Sequence, residues 1–204
     1  MKYDPSKHHR RSIRLPAYDY SQEGMYFITI CTHQRECLFG EVVDGEMRLN
    51  EYGKIVAEEW LNTARVRANV ELHEFVVMPN HFHAVLEIVG ANRLAPVDAN
   101  HRFAPVDATR RFAPVGASRL APTDPRKPRA PAPGSLGAIM SQFKSIVTKR
   151  INTLRGTPAM PVWQRNYWEH IIRNENELKR ICEYIINNPM HWDTDIQNPA
   201  KKRV

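Results

Sequence analysis

Apolar positions along this chain change their period several times, and those changes divide it into elements. Tyr26-Phe-Ile-Thr-Ile-Cys-Thr32 is a run of β-branched and aromatic residues, the pattern of a buried strand. Asp44-Gly45 is a turn signal, and residues 46–49 after it read as a short second strand. Asn50 is placed as an N-cap, and Tyr52, Ile55, Val56, Trp60 and Leu61 then recur at helical spacing to about Arg67. Residues 71–78 and 81–89 are strand-like and are joined by Pro79-Asn80, which predicts an antiparallel hairpin. Ser135 is a second N-cap, ahead of Leu136, Ile139, Met140, Phe143, Val147 and Ile151 on one helical stripe. After Pro158 and Pro161, residues 162–172 read as a strand. Asn174 with Glu177 resembles a capping box, and Leu178, Ile181, Cys182 and Ile185 form the stripe of a last helix that stops before Pro189. From Asp193 the chain is polar and basic and reads as frayed. Strands alternating with helices around a central hairpin predict an α+β fold, with helices covering an antiparallel sheet.

Residues 91–134 break this pattern. Arg-Leu/Phe-Ala-Pro units begin at Arg93, Arg102, Arg111 and Arg119, and eight of the 15 prolines fall in the stretch. Units this short cannot each form a supersecondary repeat, so the segment reads as a disordered or extended insert. The expected organisation is one domain from 1–90 and 135–192, the insert at 91–134 and a basic tail at 193–204.

Composition adds a partner. The 204 residues hold 29 Lys and Arg against 22 Asp and Glu, a net charge of +7 that favours a polyanion. Arg10, Arg11, Arg14, Lys144, Lys149, Arg150, Arg165 and Arg173 are candidates for phosphate contacts, and each alone also fits a solvated surface charge. No apolar run reaches the roughly 20 residues of a membrane helix, and the N-terminus has no secretory pattern. The odd cysteine count, Cys31, Cys37 and Cys182, points to reduced thiols in a cytoplasmic protein, with burial expected for Cys31 and Cys182.

The sharpest chemistry lies in the hairpin. On a strand His81, His83, Val85 and Glu87 share one face, and Phe82, Ala84, Leu86 and Ile88 share the other. Two imidazoles at that spacing can both reach a divalent cation. The bare pair also fits a histidine that caps a turn.

Met78-Pro-Asn-His-Phe-His83 resembles the His-hydrophobic-His motif of single-tyrosine HUH transposases, and specifically of the REP-associated tyrosine transposases. The resemblance extends to Tyr18-Asp-Tyr20, Gly24, the 26–32 strand, Arg35 and Phe39-Gly40. It continues through Ser135-Leu136, Phe143-Lys-Ser145, Thr148-Lys149, the 163–170 segment, Arg173-Asn-Glu175 and Tyr184-Ile-x-x-Asn-Pro189. It implies a ferredoxin-like HUH endonuclease fold. The implied activity cuts and rejoins single-stranded hairpin or palindromic DNA, with a guide tetranucleotide nearby and Mg²⁺ or Mn²⁺ as cofactor. Cleavage would pass through a covalent 5′-phosphotyrosine. On this resemblance Tyr184 is the nucleophile, and His81, His83 and Asn188 hold the metal. Asn188 stands where relatives carry Gln, with a shorter reach.

Tyr167, beside Glu169 and His170, is the second candidate nucleophile. Its segment reads as a strand, and Trp163, Tyr167 and Trp168 suit packing or base stacking. Glu87 is expected behind the ligands rather than among them. The readings left open are active transposition, a domesticated enzyme, a hairpin-binding protein without catalysis, and a zinc hydrolase. A homodimer is left open as well.

Overall fold

The computed structural model describes residues 18–90 and 131–201. Arg10, Arg11, Arg14 and residues 91–130 of the expected insert lie outside them.

The elements run β1 (Gly24–Cys31), β2 (Gly40–Val43), β3 (Glu46–Leu49), α1 (Glu51–Arg65), β4 (Val70–Val77), β5 (His81–Ile88), α2 (Leu136–Leu154), β6 (Trp168–Ile172) and α3 (Glu175–Asn187). Short 3-10 turns lie at His33–Arg35 and Pro189–Thr194. Four strands form a sheet in the order β4-β5-β1-β6, and every neighbouring pair is antiparallel. β4 therefore runs parallel to β1 with β5 between them, and β6 runs parallel to β5 with β1 between them. α1 makes the first crossover and α2 the second. This is the split βαβ pattern of a ferredoxin-like α+β fold, as expected.

The alternation in β5 sorts the two faces of the sheet. Phe82, Ala84, Leu86 and Ile88 join Tyr26, Ile28 and Ile30 of β1 under Val56 and Trp60 of α1 and Ile139, Met140, Phe143 and Val147 of α2. On the opposite face Met25, Phe27, Val85 and Ile172 meet Leu178, Cys182 and Ile185 of α3. Cys182 is thus buried as expected, whereas Cys31 is only half-buried.

The helix starts follow the sequence. Asn50 Oδ1 accepts from the Tyr52 and Gly53 amides at 3.0 Å each, and Ser135 Oγ accepts from Ala138 at 3.3 Å. Asn174 Oδ1 accepts from Glu177 N–H at 2.9 Å. The return bond of a capping box is displaced by one residue, because Glu177 Oε2 accepts from Arg173 N–H at 2.9 Å.

Three expectations need correction. The second strand has a partner that the pattern did not show: β2 pairs with β3 through Asp44-Gly45, both at positive φ (53° and 77°), apart from the main sheet. Of the strand expected at 162–172, β6 forms, and Trp163 makes only an isolated antiparallel bridge with Thr32. Before β6, Lys144 Nζ donates to the carbonyls of Gln164, Arg165 and Asn166 at 2.6, 3.0 and 3.4 Å, so these oxygens bind an ammonium instead of a neighbouring strand. From Asp193 to Asn198 the tail is docked rather than frayed. Asn80 Nδ2 donates to Gln197 O at 2.7 Å, Arg35 Nη1 donates to Ile196 O at 3.3 Å, and Asn198 is buried. No helix among the described residues is long and apolar enough to cross a membrane.

Candidate active site

β5 starts directly after the Pro79-Asn80 turn, so His81 is its first residue and His83 is the next on the same face. Both are buried, with ring centroids 4.6 Å apart. Cross-strand pairing sets Thr29 opposite His83, and the Thr29 hydroxyl lies 2.8 Å from His83 Nδ1. His81 Nδ1 lies 2.9 Å from Asn80 Oδ1. The Asn80 amide is oriented by its two donated bonds, to Arg35 O at 3.1 Å and to Gln197 O. Its oxygen must therefore accept from His81 Nδ1–H, which leaves the lone pair of His81 on Nε2.

Burial holds both imidazoles neutral. It pushes His81 down to about 4, with Asp195 opposing, and it pushes His83 well below the usual histidine range, helped by its neighbour His81. Neutral rings keep their lone pairs at neutral pH, as metal ligation requires.

α3 covers this face because its apolar stripe docks on β4 and β5. The stripe turns Tyr184 toward His83, with the hydroxyl 3.2 Å from Nε2 and the ring centroids 5.2 Å apart. Tyr184 remains 48% exposed, at a hollow of about 470 Å³ lined also by Phe27, Thr29, Tyr167 and Trp168. Burial and then the nearby Asp195 raise its pKa above the ordinary phenol value, while a hydrogen bond from Asn188 pulls it back. One turn after Tyr184, Asn188 ends the helix and is 1% exposed.

His81 Nε2 and Asn188 Oδ1 are among the buried side-chain atoms that make no hydrogen bond, as are the indole N–H groups of Trp60 and Trp163 in the opposite core. A buried polar atom without a partner is costly, and atoms that carry lone pairs, as His81 Nε2 and Asn188 Oδ1 do, are of the kind a cation can satisfy. Asp195 Oδ2 stands 3.9 Å from His81 Nε2, too far for a hydrogen bond. Among the described residues no three His, Cys, Asp or Glu side chains gather as a metal group.

The structure thus brings together His81, His83, Tyr184 and Asn188 of the residues singled out above. Tyr167 lines the same hollow and also packs against the core of the α1–α2 face. Glu87 shares the histidine face but pairs with His73 at 3.1 Å, four residues beyond His83 and so about 13 Å along the strand. Arg165 and Arg173 are exposed on the segments flanking β6. Lys144 is turned inward onto the three carbonyls, and burial pushes its pKa down to about 8. Lys149 and Arg150 lie on α2, across the sheet from the imidazoles. Arg150 pairs there with Glu58 at 2.8 Å and Glu59 at 2.6 Å on α1.

Sequence reasoning missed Asn80, Thr29 and Asp195. Asn80 was visible only as a turn residue. Thr29 becomes visible once the β1–β5 register is known. No local signal distinguishes Asp195 from a solvated tail carboxylate.

No family model matches the chain. An uncharacterized protein of Haemophilus influenzae is 39% identical over 197 residues, covering 95% of this chain and 96% of that one. A solved REP-associated tyrosine transposase bound to a REP hairpin aligns with 88% of this chain and 73% of its own, at TM-score 0.46 and 16% identity.

Proposed function

The chain belongs to the same family as its Haemophilus influenzae relative, and we propose that it is a metal-dependent tyrosine transposase that nicks and rejoins single-stranded hairpin or palindromic DNA. The observation that carries this reading is the Tyr184 hydroxyl 3.2 Å from His83 Nε2, beside the unpartnered atoms His81 Nε2 and Asn188 Oδ1.

In the proposed reaction Tyr184 Oη attacks the scissile phosphorus. The Oη–P bond forms as the bond from phosphorus to the 3′ oxygen breaks. The phenol gives up its proton and the departing 3′ oxygen gains one, leaving a 5′-phosphotyrosine and a free 3′-OH. The covalent link conserves the phosphoester, so the reverse step rejoins DNA without ATP.

His81 Nε2, His83 Nε2 and Asn188 Oδ1 would hold Mg²⁺ or Mn²⁺. Such a cation offsets charge on the phosphate and favours the phenolate. Asn80 and Thr29 fix the two rings through their Nδ1 atoms, and Asp195 adds negative charge next to the ligand atoms. The Tyr184 hydroxyl lies at His83 Nε2, the atom that would face the ion, so the nucleophile would sit next to the charge the ion supplies.

The reading is tested by incubating the protein with end-labelled hairpin DNA and Mn²⁺ or Mg²⁺ and resolving it on a denaturing protein gel. Label should travel with the wild type and not with Tyr184→Phe, which should still bind the hairpin. Binding without label transfer in the wild type would reduce the protein to a hairpin-binding module. The cytoplasmic location and an active or domesticated role belong to the same proposal. A gene flanked by palindromic repeats supports mobility.

A further inference from the structure

Trp168 opens β6 and is 42% exposed, whereas Tyr26, Phe27 and Phe82 of the neighbouring strands are buried. Strand pairing aligns Trp168 with Thr29, Thr29 with His83, and His83 with Val76, so the four side chains form one row across the face that carries the imidazoles. Two strand spacings separate Trp168 from His83, about 10 Å. A nucleotide whose phosphate lies at the histidines can reach that far with its own base or its neighbour's.

The indole is also held in place. Its edge meets Phe27, with ring centroids 5.5 Å apart at 77°, and its plane lies 5° from that of His170, with centroids 5.9 Å apart. His170 is anchored in turn by Glu177 Oε1 at 2.7 Å, from the first turn of α3. The exposed part of the ring lines the hollow together with Tyr184, His83, Gln164 and Asn166. A rigid aromatic surface beside a phosphate-handling site loses little conformational freedom when a flat ring settles on it. No charged group is needed for that contact.

We infer that Trp168 is a stacking platform for one unpaired base of the DNA strand, placing the phosphate beside that base over His83 and Tyr184. The inference rests on the reading of the site as a DNA-cleaving centre. Stacking of this kind tolerates any base, so Trp168 contributes affinity and register rather than sequence choice.

The experiment measures binding of the full chain to two fluorescent single strands of equal length, one bearing bases and one wholly abasic, at a fixed salt concentration. Trp168→Ala should weaken binding of the base-bearing strand about tenfold and leave the abasic strand unchanged. Trp168→Phe should recover most of the loss, which separates stacking from misfolding. An equal loss on both strands, or no loss on either, overturns the inference. Unchanged DNA affinity together with a lower sedimentation coefficient overturns it in favour of contact with a second copy of the chain. If the wild type forms the covalent adduct while Trp168→Ala binds normally, only the platform fails. If the wild type binds no single strand at all, the nuclease reading fails with it.

Discussion

The two faces of the sheet are built from alternate residues of the same strands, yet they are finished differently. Under α1 and α2 the buried side chains are mostly apolar, and Trp60 meets Phe82 and Phe143 edge to face, with centroids 5.0 and 5.3 Å apart. Under α3 the same strands present Thr29, His81 and His83, and two buried polar atoms there make no hydrogen bond. The first face also leaves two buried polar atoms without a hydrogen bond, but these are the indole N–H donors of Trp60 and Trp163. On the second face the unpartnered atoms, His81 Nε2 and Asn188 Oδ1, carry lone pairs, which a cation would satisfy.

The comparison can be broken by substitutions that exchange the consequences of the two faces. The largest expected effect is that of Tyr184→Phe, which should bring DNA–protein adduct below detection. The ring is half-exposed and keeps its packing, so thermal melting should be unchanged. Phe82→Ala, one residue from each histidine, should do the reverse. It should cost about 3–5 kcal/mol of stability in chemical denaturation, through the cavity left beside Trp60 and Phe143. If it folds normally and loses only activity, the division of the faces is wrong.

Removal of the ion comes next. Mn²⁺ at 100 times its dissociation constant should stabilise the wild type by about 2.7 kcal/mol, and His81→Ala or a chelator should abolish that gain. Asn80→Ala should weaken Mn²⁺ binding by about ten- to a hundredfold, because it frees both the His81 ring and the docked tail. Titration calorimetry measures this directly, and an unchanged affinity would remove Asn80 from the account. The smallest effect is expected at Arg150→Ala. It should cost under about 1 kcal/mol and leave DNA affinity and its salt dependence unaltered, since Arg150 binds Glu58 and Glu59 behind the sheet.

Much of this was legible in the sequence. β5 declared both its faces because a strand alternates strictly, and α1, α2 and α3 declared their starts through Asn50, Ser135 and Asn174. The spacing of Tyr184 and Asn188 follows from the helical turn. What stayed hidden depended on partners far along the chain. Lys144 looks like a phosphate ligand until the carbonyls of 164–166 are seen around it. Asp195 looks like solvated tail until Asn80 fixes Gln197 and brings the carboxylate to His81. β2 is four residues long and carries no periodic signal strong enough to read.

The most direct measurement identifies the residue that carries the DNA. Trypsin separates the two candidate tyrosines, since Tyr184 lies alone among tyrosines in the peptide from Ile181 to Lys201, and Tyr167 lies in that from Asn166 to Arg173. After reaction with hairpin DNA and nuclease trimming, mass spectrometry should find the nucleotide on the Ile181 peptide, at Tyr184. A nucleotide on the Asn166 peptide, or on neither under conditions where Mn²⁺ binds, would contradict the account.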